Sequence, residues 1–517
     1  MLNPVRAFIL FVAAAAASVA TPAAADRFVD AVNADFARVP NEQRSDLVLL
    51  PVLIEMDEPP EFLLQRADRA ALMLPTSPAW PAAEAWVTAS PQQAVLEALA
   101  QVTEETNPRR AMRFALPYGI NGVPTSFIRA GIHAELGDPP TLAAVQLGYM
   151  DYFEWMKLLV YVETTRLVEQ GEAATAIGIN LDLAVFARQI ARRQLGAEVE
   201  WAYETIASAM RRVRDAAYVD GKRDRTLTAQ FLTETIESID VERGLYRVDR
   251  FRMPQGDKQA GLQLAARVFD ASGQPDPAVF PSAMAEMAAT ARPLRLFGEA
   301  GRWAERVGSH ASQSQTRSTI EGVYNDWDNR WNSDPFDALL RSQSTYQRLE
   351  GRSEDYSLVT QAIPDIGRLL DLRKGVQAET VGTRVALAAQ ALTIATGAKA
   401  SSLALLRPRY IDDLGIDPFN PNTQFGNRPE FLYFVPERDD VNGNRHRMNV
   451  VPRQQRTNFS VSLTSDDFVV YSPGGNGADD NAINVSDNPS AAIGDYLIWP
   501  PVVSLTREHL RQIGQSE

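Results

Sequence analysis

The sequence predicts an α+β fold, with a large, mostly α-helical body followed by a small C-terminal unit of helix plus antiparallel sheet. Three observations predict it. The 517 residues are 45% hydrophobic and 22% charged, which is the balance of a globular chain. Apolar residues recur with helical spacing through much of residues 26–398. From about residue 408 onward Asn, Pro, Gly and Asp become frequent and separate short β-type runs.

The elements follow in order. Met1–Arg6 carries one positive charge, Ala7–Ala20 is an apolar run of 14 residues, and Ala23-Ala24-Ala25 supplies an A-x-A cleavage site. This is the layout of a secretory signal. The alternative, a retained anchor, needs ~20 apolar residues to span a bilayer. The expected organisation is a signal peptide over 1–25, a mostly helical region over 26–375, and a C-terminal unit over 376–517. Asp46–Met56 (DLVLLPVLIEM) suits a buried strand or a helix, and Pro51 argues against an uninterrupted central strand. The clearest helix is expected over 142–170, where Val145, Tyr149, Tyr152, Phe153, Met156, Leu159 and Val160 form an apolar stripe that reads as core. Further helices are expected over 60–73, 80–104, 181–195, 198–218, 226–240, 277–292, 335–350 and 376–396. Pro81 suits the first turn of the second, and Asn180 or Asp182 would cap the third.

Composition excludes several functions. The 51 Lys+Arg against 65 Asp+Glu give a formal charge of −14, the wrong sign for nucleic-acid binding. Absence of cysteine excludes disulfides, thiolate catalysis, Cys-ligated zinc and iron–sulfur clusters. His133, His310, His446 and His509 are too scattered for a short metal motif, and no G-x-S-x-G elbow, Walker A loop or dinucleotide fingerprint occurs.

Basic residues gather between Arg188 and Arg225: Arg188, Arg192, Arg193, Arg211, Arg212, Arg214, Lys222, Arg223 and Arg225. They read as a solvated helix face paired with Glu198, Glu200, Glu204 and Asp215, rather than as a docking patch. Asn325–Trp331 sets Asp326 and Asp328 beside Trp327 and Trp331. Glycosidases use paired carboxylates, but i, i+2 acids point apart on a helix, so a helix terminus with packed indoles is expected. Ser309-His310 lacks an identifiable acid partner. Asp440–Asn444 has its glycine out of place for a calcium loop and reads as a hairpin turn.

The last quarter carries a specific order of features. An apolar helix (Glu379–Thr396, interrupted by Gly382 and Arg384) precedes Leu403, Leu406, Pro408, Tyr410, Ile411 and then Asp417-Pro418-Phe419. Phe431–Phe434 and Phe468–Ser472 read as strands. Pro473–Asp480 is an acidic, glycine-rich loop, and Gly494–Trp499 closes the unit. This order resembles the globular domain of the major pseudopilin of type II secretion, over roughly 125 residues. Tyr471-Ser472 and Gly474 match that family's strand end, Asn476-Gly477 stands for its Asp-Gly, and Asp495-Tyr496 for its closing pair. The whole chain is also similar to long exported proteins, of the sort seen in planctomycete-like bacteria, that end in this module.

The resemblance implies a bound calcium ion with Ser472, Asn476, Asp479, Asp480 and Asp495 as ligands and Asp487 in reserve; calcium takes six to eight oxygens from such groups. Asn476 in place of Asp removes one charge. The other reading is a turn with solvated carboxylates. Filament assembly does not carry over, because the prepilin cleavage pattern and long N-terminal helix are missing. The expected role is a non-catalytic binding or scaffold protein of the periplasm or cell surface, with an unidentified protein or cell-envelope component as partner. No nucleic acid partner and no membrane span after signal cleavage are expected. The alternatives are a secreted hydrolase using acids such as Asp326 or Asp328, and an accessory of the type II secretion machinery.

Overall fold

The computed structural model describes residues 26–514 except 66, 106, 108, 240–250, 290–295, 422–428, 454–457 and 492. The signal-like segment therefore lies outside the described residues.

Helices α1 (Arg27–Asn33), α2 (Asp46–Glu55), α3 (Glu61–Gln65), α4 (Trp80–Val87), α5 (Ser90–Thr103) and α6 (Thr125–Arg129) come first. The ambiguous Asp46–Met56 segment is thus a helix, with Pro51 inside it. The helix expected over 80–104 is two, because Pro91 sits in the first turn of α5 and starts a new helix there, as Pro81 does for α4. A ribbon of β1 (Ala134–Glu135) and β2 (Gln146–Leu147) precedes the long helices α7 (Tyr149–Glu169), α8 (Ala173–Ile190) and α9 (Gly196–Lys222). The α7 stripe is core: Tyr149, Phe153, Met156, Leu159 and Val160 are buried, and Phe153 meets the rings of Phe114, Phe186 and Trp201. Neither Asn180 nor Asp182 caps a helix, since α8 starts seven residues before the first of them. Asn180 is buried and donates to Thr164 Oγ1 at 2.7 Å, while Asp182 accepts from Thr103 Oγ1 at 2.7 Å.

The body continues with α10 (Ala229–Ser238), α11 (Gly256–Arg267), α12 (Phe280–Ala289), α13 (Leu296–Arg306), α14 (Gln313–Trp331), α15 (Thr345–Glu350), α16 (Ser357–Ala362) and α17 (Gly367–Thr396). The 30-residue α17 runs unbroken through residue 376, and neither Gly382 nor Arg384 interrupts it. Gly382 serves packing: a β-carbon there would stand 2.8 Å from Ile498 Cδ1. No described helix is long and apolar enough to cross a membrane.

Six strands follow: β3 (Leu432–Phe434), β4 (His446–Val451), β5 (Phe459–Leu463), β6 (Val469–Ser472), β7 (Asn484–Ser486) and β8 (Asp495–Trp499), before α18 (Val502–Gln512). Their order is β3-β6-β8-β7-β4-β5. The α+β architecture is as expected, but the sheet is mixed rather than antiparallel, because β7 pairs in parallel with both β4 and β8. The Asp440–Asn444 turn is real, with Asp440 Oδ1 accepting from the N–H groups of Asn442 and Asn444. It is not a hairpin, because β3 and β4, which flank it, are not neighbours in the sheet.

One apolar cluster extends from Val32 to Trp499 and joins the sheet to the helical body. The sheet enters it through Phe468, Val470, Tyr496 and Ile498. The opposite face, including Val469, Tyr471 and Leu497, is covered by Val502 and Leu505 of α18. This two-sided cover explains why β6 and β8 read as continuous apolar runs.

Candidate functional site: the acidic loop and the charge seam

Each proposed calcium ligand has a definite place. Ser472 ends β6, fully buried, and its Oγ accepts from Gly474 N–H at 3.1 Å. Asn476 is exposed and closes a turn, its Oδ1 accepting from Ala478 N–H at 2.9 Å. Asp479 is exposed, with Oδ1 accepting from Asn481 N–H at 2.7 Å and from the Tyr471 hydroxyl at 3.1 Å. Asp480 Oδ2 lies 3.4 Å from the Asn484 amide nitrogen. Asp495 is fully buried at the start of β8, and its two oxygens accept from Asp480 N–H (3.2 Å) and Ala482 N–H (2.7 Å).

Asp495 therefore pins the loop. It holds the turn in which Asn481 and Ala482 take left-handed backbone angles, φ 53° and 54°, which side chains rarely adopt. His446 Nε2 holds Ala482 O from the other side at 3.0 Å. Burial pushes the Asp495 carboxyl up to about 6, opposed by its two main-chain donors and reinforced by repulsion from Asp479 and Asp480. The three acids thus share one electrostatic neighbourhood. Their oxygens are aimed at main-chain donors, and among the described residues no group of three acidic or histidine side chains converges where a metal ion would sit. The reserve ligand Asp487 is buried and turned elsewhere, accepting from Arg453 N–H at 2.7 Å.

A second acid lies beside this loop: the sequence singled out Asp417 only within the Asp417-Pro418-Phe419 match, not as a buried or ligating group. Asp417 is fully buried, Oδ1 accepts from Phe419 N–H at 3.0 Å, and Oδ2 has no hydrogen-bond partner among the described residues. Burial pushes it up to about 7, although the Ser472 hydroxyl, the Phe419 N–H and Lys374 favour its ionised form.

The basic run from Arg188 to Arg225 fits the sequence reading only in part: Arg192, Lys222, Arg223 and Arg225 are exposed as expected. Arg188, Arg193, Arg212 and Arg214 are buried, not solvated. Arg193, Arg212 and Arg214 belong to charge clusters, two of which pair charges from distant elements, while Arg188 lies over the Phe251 ring. In one, Arg193 Nε donates to Glu198 at 2.7 Å, the hydroxyls of Tyr118 and Tyr149 donate to the same carboxylate, and Arg193 lies against the rings of Phe36 and Tyr118. Both phenols are raised well above the ordinary value, first by burial and then by Glu198. In the second, Glu379 of α17 takes Arg211 at 2.8 Å and Arg214 at 2.6 Å from α9 and the Tyr496 hydroxyl from β8. Arg214 meets Glu379 Oε2 as an ion pair without hydrogen-bond alignment. In the third, Asp215 of α9 takes Arg212 at 2.5 Å, Ser504 Oγ at 2.6 Å and the Arg507 guanidinium, the last two from α18. Of the acids expected to balance this run, Glu198 and Asp215 do so; Glu200 and Glu204 instead pair with Arg368.

The residues a hydrolase would use are built into the scaffold. Trp327 and Trp331 are buried in α14, as a packed helix end predicts. Asp326 accepts from Arg330 Nε at 3.1 Å and from Thr345 N–H at 2.7 Å, while Asp328 is exposed on another face. His310 is buried with both nitrogens engaged, by Ala311 O at 2.8 Å and Leu358 N–H at 3.3 Å. Burial lowers its pKa, consistent with a neutral ring that accepts from Leu358.

No protein family, curated protein or solved structure matches this chain.

Proposed function

We propose that this chain is an exported, non-catalytic binding or scaffold protein whose C-terminal unit is a pseudopilin-like module stabilised by calcium. The observation that carries the non-catalytic part is the use made of the buried ionisable groups. Glu198, Glu379 and Asp215 each neutralise arginines from their own or a neighbouring element, and Asp326 and His310 are held in place as described above. Such groups hold a scaffold in register. Support for calcium is the crowding of Asp479 and Asp480 around a buried Asp495, whose mutual repulsion a dication would relieve. Support for export is the signal-like layout of residues 1–25.

The test is thermal unfolding of the mature chain in calcium and in chelator, for the parent and for Asp479→Ala/Asp480→Ala. The expected result is a higher melting temperature of the parent in calcium, lost in the variant, with no difference between them in chelator. Equal melting temperatures in calcium would remove the metal from the reading. N-terminal sequencing of protein from the native cell envelope tests export, with Asp26 the expected first residue. A role beside the type II secretion machinery predicts co-purification with its components.

A further inference from the structure

The end of α9, α18 and the sheet enclose a groove of about 420 Å³. Tyr218, Leu463 and Leu505 give it an apolar floor, and Lys222, Arg223 and Arg511 stand at its rim. Three consecutive residues of β5, Val461, Ser462 and Leu463, line it. Side chains alternate along a strand, so a cavity that touches three in succession meets the strand at its edge. β5 is the last strand of the sheet, and among the described residues its main chain pairs with β4 alone. An open edge of this kind is a template for another strand.

Charge says what such a strand would carry. Glu169 is shared by two guanidiniums, Arg223 at 2.7 Å and Arg511 at 2.6 Å, and just behind them Asp215 is shared by Arg212 and Arg507. Four guanidiniums thus rest on two carboxylates. Lys222 is balanced by Asp467 at 2.6 Å; with the exposed Glu508 counted, five cations face four carboxylates, and the one excess positive charge comes from Arg212 and Arg507 sharing Asp215, on a chain of net charge −14. Burial, with repulsion from Arg223 and Arg507, lowers the Arg511 pKa against the pull of Glu169. A further carboxylate would ease that strain.

We propose that this groove binds an extended acidic peptide segment of a partner protein as a strand added to β5, with a peptide carboxylate held by Arg223 and Arg511. The idea rests on the binding-protein reading and gives it a partner chemistry. The probe is a fluorescent eight-residue peptide alternating threonine and valine and ending in two glutamates, titrated into the mature chain and followed by anisotropy. Two control peptides replace the glutamates by lysines or place one proline at the centre, which removes a ladder donor. Saturable binding of the acidic peptide is expected, weakened about tenfold or more by either control, by added salt, and by Arg223→Gln/Arg511→Gln. Both arginines are partly exposed, and an unchanged melting temperature verifies that this variant is folded. Slowed amide exchange in β5 on binding is the backbone signature. The proposal is overturned if the acidic peptide fails to saturate by roughly 1 mM, if the lysine peptide binds as well, or if proline or the glutamine variant leaves affinity unchanged. None of these outcomes alters the calcium melting result, so the two ideas fail separately.

Discussion

Glu379→Gln tests the charge seam where it joins the sheet to the helical body. Glu379 is fully buried in α17 and faces two guanidiniums of α9 and a phenol of β8. Burial alone would raise its pKa, but Arg214, Arg211 and Tyr496 outweigh burial and hold it below the ordinary carboxylate value. Glutamine keeps the shape and a hydrogen-bond acceptor for Tyr496 but leaves both arginines without that charge. Removing one partner of a buried pair costs ~3–5 kcal/mol. Arg211 is 19% exposed and feels Asp487 as well, whereas Arg214 is 2% exposed and keeps Thr383 Oγ1 at 2.5 Å. The residual contacts place the expected loss toward the lower half, about 3–4 kcal/mol. If the whole chain melts as one unit, its unfolding entropy is roughly 1 kcal/mol per degree, so the melting temperature falls by about 3–4 °C. If the C-terminal unit melts alone, the same loss spans about three times as many degrees. Urea unfolding followed by fluorescence gives the free energy, and calorimetry distinguishes the two cases. Glu379→Gln/Arg214→Met removes one stranded charge as well, so it should be less damaging than the two single effects added. A loss below about 1 kcal/mol, or strict additivity in the double variant, would refute the idea that this carboxylate neutralises a buried seam.

Asp417→Asn should flatten the pH dependence of stability between about pH 4 and 7. The native state holds the Asp417 proton more tightly than the unfolded chain, so its contribution is full below the unfolded value of ~3.9 and declines as pH rises toward about 7. The slope removed is at most ~1.4 kcal/mol per pH unit, readable from urea midpoints at pH 5 and pH 7; identical changes in parent and variant would count against it. Gly382→Ala should destabilise by about 1–3 kcal/mol, because the new methyl meets Ile498 in a packed core, and Gly382→Ala/Ile498→Val should recover part of that loss on thermal melting. Tyr118→Phe should cost about 1–2 kcal/mol in urea, since both Glu198 and the Gln194 N–H lose a partner.

The helical body was legible where long amphipathic segments announce themselves, but α11, α13 and α16 were not expected and α8 begins eight residues before the start expected for it. The aromatic stripe of α7 and the packed indoles of α14 fell where periodicity put them. The sheet was half legible. β3, β6 and β8 read as apolar runs, whereas β4, β5 and β7 are short, polar or both and depend on tertiary neighbours. Charge was misread for a related reason. Whether an arginine meets water depends on its partner, and the Glu379 that meets Arg214 lies 165 residues away by main-chain contact. Gly382 looked like a helix break because the β8 side chain that fills its place could not be foreseen. The loop acids were singled out by a family resemblance, which also named Asp417 in its Asp417-Pro418-Phe419 match, but nothing local announced that Asp417 is buried.

The reach of the third cluster bears on how this molecule comes into being. Arg507 meets an Asp215 that precedes it by 292 residues. Ribosomes deliver a chain from its N-terminus, so α9 emerges long before the groups that complete its surroundings. Until α18 arrives, Asp215 has Arg212 but lacks Ser504 and Arg507, and one face of the sheet lacks its cover of Val502 and Leu505. The finished state is therefore closed by α18, and a nascent chain, or one clipped before α18, would hold both an incomplete ionic cluster and a bare apolar sheet for chaperones or proteases to meet.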